Sequence, residues 1–182
     1  MTPGFTFGAA WVFTRSGGVW SQQARLNGND AAPGGPLLAG DQGYSVSLSG
    51  DGNTAFVGGP DDNNTTGAAW VYTRSGGMWT QQGPKLVGAG AIGFAQQGHS
   101  VSLSGDGNTA FVGTPFDNNS AGAVWVFAAQ PVFAGTPGKS NCHGKSVSAL
   151  AQQYGGLNNA AAALGYPSVQ ALQDAIMTYC EG

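Results

Sequence analysis

The chain has 182 residues, of which 41% are hydrophobic and 10% aromatic, enough for one or two small cores and too much for intrinsic disorder. Only 8% are charged, and 6 Lys+Arg against 9 Asp+Glu leave a net charge of -3, so no basic patch can be assembled to hold nucleic acid. No stretch approaches the roughly 18 consecutive apolar residues of a membrane span, and 32 glycines with 9 prolines suit tight turns between short strands better than long helices.

The start, Met1-Thr2-Pro3-Gly4-Phe5, lacks the charged and apolar regions of a signal peptide, so any targeting signal is expected outside this chain. From Gly8 the chain reads Gly-Ala-Ala-Trp-Val-Phe-Thr-Arg-Ser-Gly-Gly-Val-Trp, through Trp20. The block returns from Gly67 to Trp79 with Tyr72 for Phe13 and Met78 for Val19, and begins again at Gly122-Ala123-Val124-Trp125-Val126-Phe127. A second block, Ser45 to Gly58, recurs unchanged at Ser100 to Gly113. Identity of that length marks an internal repeat.

Within a repeat the apolar period is two. Tyr44, Val46 and Leu48 alternate with Ser45, Ser47 and Ser49, which predicts a strand with an apolar face and a hydroxyl face. Gly50-Asp51-Gly52-Asn53 supplies a turn, and Thr54-Ala55-Phe56-Val57 the returning strand. Asp61 to Thr66 predicts a loop, Gly67 to Arg74 a third strand, Ser75-Gly76-Gly77 a tight turn and Met78 to Leu86 a fourth strand. Four antiparallel strands per repeat is the composition of a propeller blade, whose faces are covered by its neighbours.

The order Gly-Tyr44 or Gly-His99 followed by Ser-Val, then Gly-Asp-Gly, then Phe-Val-Gly-x-Pro, then Gly-Ala-x-Trp-Val-Phe resembles the FG-GAP repeats of integrin-like β-propellers. Gly98-His99-Ser100-Val101 stands where that family has its FG element, and Val112-Gly113-Thr114-Pro115 where it has its GAP element. Both signatures depart from the family's consensus, and the resemblance covers about residues 8 to 127. It implies a mainly β fold in residues 1–127: a partial blade at 8–26, a full blade at 43–86 and a partial blade at 98–127. About two blades are too few for a closed ring of four to eight. The alternatives are a piece of a longer propeller, several copies that close one ring, and an open stack whose exposed blade edges invite self-association.

Ala128 to Gly138 carries two prolines and two glycines and marks 128–140 as a linker. Beyond it, 141–182 shows helical spacing, with Val147, Leu150 and Tyr154 on one face and Val169, Leu172, Ile176 and Tyr179 on another. Gly155-Gly156 ends the first helix and Ser168 can cap the last. A helical segment this small needs a staple, and Cys142 and Cys180 are placed to supply a disulfide. That pairing in a Gly/Asn/Ser-rich chain points to an oxidising compartment, extracellular or at the cell surface.

Catalytic patterns are not found, and no enzyme is expected. His99 occupies a position that the other repeat fills with Tyr44, so it reads as a packing aromatic, and His143 lies beside the cysteine assigned to the disulfide. Calcium-binding FG-GAP loops place several carboxylates at alternate positions, but each turn here offers one, Asp51 or Asp106, with Asn53 or Asn108 beside it. These residues, with Asp61 and Asp62, are the oxygen donors an ion would use. No cofactor or metal is expected, with calcium at these donors as the alternative.

Binding remains. Trp11, Trp70 and Trp125 alternate within strands and read as core, whereas Trp20, Trp79 and Tyr72 are the candidates for stacking on a sugar or a partner protein. Asn63, Asn64 and Asn118 stand in Asn-x-Thr/Ser patterns that mark surface loops. The sequence reads as a non-enzymatic, extracytoplasmic, adhesion-like module with a protein or glycan ligand, no nucleic acid and no membrane span. The alternatives are an accessory region of a larger secreted enzyme and an oligomeric, lectin-like glycan binder.

Overall fold

A computed structural model describes residues 8–34, 41–129 and 133–181. The chain divides into two compact units, Met1–Ala128 and Ala129–Gly182.

The first unit holds three antiparallel sheets. Sheet 1 pairs β1 (Ala10–Ser16) with β2 (Val19–Leu26). Sheet 2 is the hairpin-linked series β3 (Ser45–Leu48), β4 (Thr54–Gly59), β5 (Ala68–Ser75) and β6 (Met78–Gln81), in that order. Sheet 3 repeats the first three of these as β7 (Ser100–Leu103), β8 (Thr109–Thr114) and β9 (Ala123–Ala128). Register repeats with sequence: Val57 faces Trp70 in sheet 2 as Val112 faces Trp125 in sheet 3. The turns Gly17-Gly18 and Gly76-Gly77 hold positive φ at both residues, the geometry a two-residue hairpin needs and glycine adopts without strain. The predicted fourth strand stops at Gln81, and Leu86 returns only as a single bridge to Ala69.

The predicted loop at Asp61–Thr66 contains a single-turn helical segment, α1 (Asp62–Thr65), and Asp117–Ser120 forms the matching α2. Their middles are left-handed: Asn63, Asn64, Asn118 and Asn119 have φ between 48 and 57°. Asparagine tolerates that region better than most residues, which accounts for the Asn-Asn pair in both copies.

Alternate residues of a strand point to opposite faces, so each sheet has two sides to cover. Ala55, Val57, Trp70 and Tyr72 form one side of sheet 2, which packs on Ala10, Val12, Ala24 and Leu26 of sheet 1. Phe56, Ala69 and Val71 form the other side, which packs on Val101, Leu103, Ala110, Val112 and Phe127 of sheet 3. Burying a side chain the size of Phe56 or Val57 contributes roughly 1.5–3 kcal/mol. The seams between sheets are equivalent. A Cβ on Gly43 would lie 2.4 Å from the carbonyl oxygen of Ala9, and one on Gly98 2.2 Å from that of Ala68. Only glycine lets the backbones approach so closely at positive φ.

The second unit holds α3 (Cys142–Tyr154), α4 (Leu157–Ala163) and α5 (Val169–Glu181). Gly155, at φ 70°, ends α3, and Ser168 Oγ accepts the Ala171 N–H at 3.1 Å at the start of α5. Leu150, Ala160, Ala161, Leu172 and Ile176 form its core. Cys142 and Cys180 are bonded, joining the start of α3 to the end of α5. The segment that composition marks as linker contributes to this unit: Phe133 is buried in the core, and Gly135 donates its N–H to Ser146 Oγ and accepts the Tyr179 hydroxyl. Among the described residues no helix is long and apolar enough to cross a membrane.

Candidate functional site

The connections between sheets are held by a repeated strut. Asp62 is fully buried; its Oδ1 accepts the Ala32 N–H at 2.6 Å and its Oδ2 the Lys85 ammonium at 2.5 Å. In the next repeat Asp117 Oδ1 accepts the Ile92 N–H at 2.7 Å. Gln42 and Gln97, also buried, brace the same connections, with Oε1 accepting the N–H of Gly28 at 2.7 Å and of Gly88 at 2.6 Å respectively. Asp30 takes donors from Trp70 Nε1, Gln81 Nε2 and the Lys85 N–H. Burial pushes its carboxyl up, but those hydrogen bonds together outweigh burial and hold it below the ordinary value.

These struts fix a loop, residues 88–97, whose side chains project beside α2. Asn118 donates its N–H to the Ile92 carbonyl at 3.1 Å, and the Gln96 and Gln97 N–H groups bond to the carbonyls of Thr65 and Thr66. Ile92, Gly93, Phe94, Gln96, Phe116 and Asn119 line a cleft of about 390 Å³. Ile92, Phe94 and Phe116 are exposed there although apolar. Phe116 is the last ring of a series: its centroid is 6.0 Å from His99, and His99 is 4.8 Å from Tyr44, with the Tyr44 hydroxyl 3.2 Å from His99 Nε2. His99 and Tyr44 are 55 residues apart in sequence, so corresponding positions of two repeats meet edge to edge. Gln96 Nε2 donates to Asp61 Oδ1 at 3.0 Å; burial, then the charge of Asp41, raises the Asp61 pKa.

The sequence-derived candidates fall elsewhere. Tyr72 is corrected: it is 3% exposed, inside the seam of sheets 1 and 2, where its hydroxyl accepts a hydrogen bond from Gln42 Nε2 at 2.8 Å. Desolvation pushes its pKa up to about 12, against the opposing pull of Gln42. Trp79 is half-buried in the same seam, with Nε1 bonded to Gln23 Oε1 and the Arg74 guanidinium over its ring. Trp20 is exposed on sheet 1. Of the three tryptophans read as core, Trp70 is fully buried and Trp125 half-buried, but Trp11 is 52% exposed, because among the described residues no sheet covers that side of sheet 1.

Asp51 and Asp106 are engaged in their own turns. Asp51 accepts from Ser49 Oγ at 2.6 Å, Asn53 N–H at 2.9 Å and Asn53 Nδ2 at 2.9 Å, and these bonds, the serine's first, lower its pKa to about 2. Asp106 is held in the same way by Ser104 and Asn108, with its pKa lowered. Such Asx turns account for the Asp and Asn in both copies. Asp61 and Asp62 point to different partners, as above. Among the described residues no three His, Cys, Asp or Glu side chains gather into a metal-binding group.

Ile92, Phe94, Gln96, Phe116 and Asn119 were not singled out by sequence. Their signal is the Gly-Ala-Ile-Gly-Phe-Ala-Gln-Gln stretch from Gly90 to Gln97, where two large apolar residues sit in a glycine-rich connection. No protein-family model matches the chain, and no curated protein matches its sequence.

Proposed function

We propose that the chain is a non-enzymatic, extracytoplasmic interaction module, built of FG-GAP-like propeller blades, that binds an uncharged glycan in the cleft beside Phe94 and Phe116. The observation that carries this reading is the cleft itself: exposed rings beside side-chain amides, with the Asp117 carboxylate taken up by the Ile92 N–H and the Asp61 carboxylate by the Gln96 amide. Aromatic faces suit the C–H face of a sugar ring, and Gln96 and Asn119 offer donors and acceptors for hydroxyls. The disulfide of the second unit persists in a non-reducing environment, which supports an extracytoplasmic location.

The test is an array of neutral oligosaccharides probed with the wild type, Phe94→Ala and, as a control outside the cleft, Met78→Ala. Binding that falls at least about tenfold in Phe94→Ala and holds in Met78→Ala is the expected result, in line with the loss from truncating a contact aromatic. Silence of the wild type, or binding indifferent to Phe94, overturns the reading.

A further inference from the structure

Each seam in the first unit joins the same two kinds of surface. One is the side of a sheet that carries Ala, Val, Trp and an aromatic ring, as Ala55, Val57, Trp70 and Tyr72 do. The other is the opposite side, which carries Phe, Ala and Val, as Phe56, Ala69 and Val71 do. In the seam of sheets 2 and 3, the Phe56 side of the earlier sheet meets the Ala110 and Val112 side of the later one. In the seam of sheets 1 and 2, Ala10 and Val12, the counterparts of Ala69 and Val71, meet the Trp70 side of sheet 2. The order is constant, earlier Phe/Ala/Val side onto later Trp side.

The two outermost sides are one of each kind. Sheet 1 presents Trp11 and Phe13, the counterparts of Trp70 and Tyr72, with Trp20, the counterpart of Trp79. All three are more than half exposed. Sheet 3 presents Phe111, Val124 and Val126 at 46%, 62% and 59% exposure, the counterparts of Phe56, Ala69 and Val71. Phe56 and Ala69 are fully buried in sheet 2. Among the described residues of the first unit, the two internal seams thus show what covers a side of each uncovered kind.

We infer that a second copy of this chain docks head to tail, the Phe111, Val124 and Val126 side of sheet 3 in one copy covering the Trp11, Phe13 and Trp20 side of sheet 1 in the next. The chemistry follows the internal seams: the guanidinium of Arg25 lies 5.7 Å from the Trp11 ring centroid on the uncovered side, and that of Arg74 lies 5.5 Å from the Trp79 ring centroid in the seam of sheets 1 and 2. The contact is heterologous: each copy uses a different surface at each end, so assembly proceeds to a ring if the rotation closes and to an open chain if it does not. This inference is independent of the glycan reading, since neither uncovered side includes the cleft.

The experiment measures mass by light scattering on the full, oxidised chain over a wide concentration range. It uses the wild type, Val126→Glu, Phe13→Arg and an equal mixture of the two variants. The wild type is expected at integer multiples of the 18.3 kDa chain, rising with concentration. Each variant alone is expected as a monomer, because the contact needs both sides and every copy has the same one blocked. The mixture is expected to give a one-to-one dimer and nothing larger, since Val126→Glu keeps an intact Trp11 side and Phe13→Arg an intact Phe111 side. Circular dichroism checks that both variants fold, as their substituted residues are more than half exposed.

A wild type that stays monomeric throughout overturns the inference and assigns the two sides to other coverings, including flanking chain. Multimers that survive in either variant alone, or a mixture that fails to restore the dimer, overturn it as well, because the first means a self-complementary or a different surface and the second that the two intact sides do not pair.

Discussion

Gly8–Trp20 and Gly67–Trp79 differ only at Phe13/Tyr72 and Val19/Met78, yet Trp11 is 52% exposed and Trp70 fully buried. Nearly identical sequence forms the same antiparallel hairpin in both places, with Arg15 opposite Trp20 and Arg74 opposite Trp79. What differs is the neighbour. Trp70 has sheet 1 against it and its indole N–H held by Asp30, whereas the corresponding side of sheet 1 has no sheet against it among the described residues. Local pattern therefore specifies the strand, and stacking decides which of its residues are core.

The largest expected effect breaks this pair apart. Trp70→Ala removes a fully buried ring and orphans Asp30 from one donor, and is expected to destabilise the first unit by about 3–5 kcal/mol. Trp11→Ala, at the twin position, is expected within about 0.5 kcal/mol in the monomeric chain, as for an ordinary surface change. Urea unfolding followed by circular dichroism measures both. Equal losses would show that the two sites share an environment, against the difference described here.

The second unit supplies a contrast of another kind, because it has no stacked copy and closes its short core with a bond. Replacing Cys142 and Cys180 by serine, which opens a loop with a sequence separation of 38, is expected to cost about 4 kcal/mol. Hydrogen exchange should then accelerate across α3 to α5 while β4 and β5 keep their protection. Uniform acceleration through both units would mean that the sheets depend on the helices.

The natural Phe13/Tyr72 difference sharpens the comparison at the level of one oxygen. Tyr72→Phe leaves the buried Gln42 Nε2 without its partner and is expected to cost about 1–3 kcal/mol. Phe13→Tyr places a hydroxyl in solvent and is expected to be neutral in the monomer. The two changes are each other's reverse in chemistry, so opposite or equal effects in unfolding midpoints would contradict the placement of Tyr72.

Most of the sheets could be read from the chain because their cause is local. The alternation at Val46 and Leu48, the Gly-Asp-Gly-Asn turns and the paired glycines at Gly17 and Gly76 each act over a few residues. The helices at Cys142, Leu157 and Val169 were legible by spacing, and their disulfide by position. What escaped depends on residues far apart. Tyr72 reads as a surface aromatic until sheet 1 is laid against it. The linker composition around Pro131 and Pro137 hides Phe133, whose burial is decided by α3 and α5. The cleft could not be foreseen because Phe94 and Phe116 come from two connections that only the Asp117 strut brings together. Whether the sheets belong to a closed ring is a property of stacking beyond these three, and so rests on the resemblance.

The smallest expected effect uses pH to ask whether the repeated turns differ as the repeated tryptophans do. Asp51 has a folded pKa of about 2, below the ordinary 3.8 of an aspartate, so its carboxylate favours the folded state at all pH values above the unfolded pKa. That contribution is lost as pH falls from about 4 toward 2. Asp51 is exposed, so the effect is small; it is present at neutral pH and is read from the slope with which stability falls in acid. Asp106 sits in the same bonds in the next repeat, with its pKa also lowered. Asp51→Asn and Asp106→Asn are therefore each expected to flatten the acid limb in a series of thermal melts between pH 5 and 2, and to act additively when combined. A steeper limb in either variant would contradict the sign, and a strongly non-additive pair would show that the two turns, joined by the Gly50 N–H to the Gly105 carbonyl at 2.8 Å, behave as one unit across the seam.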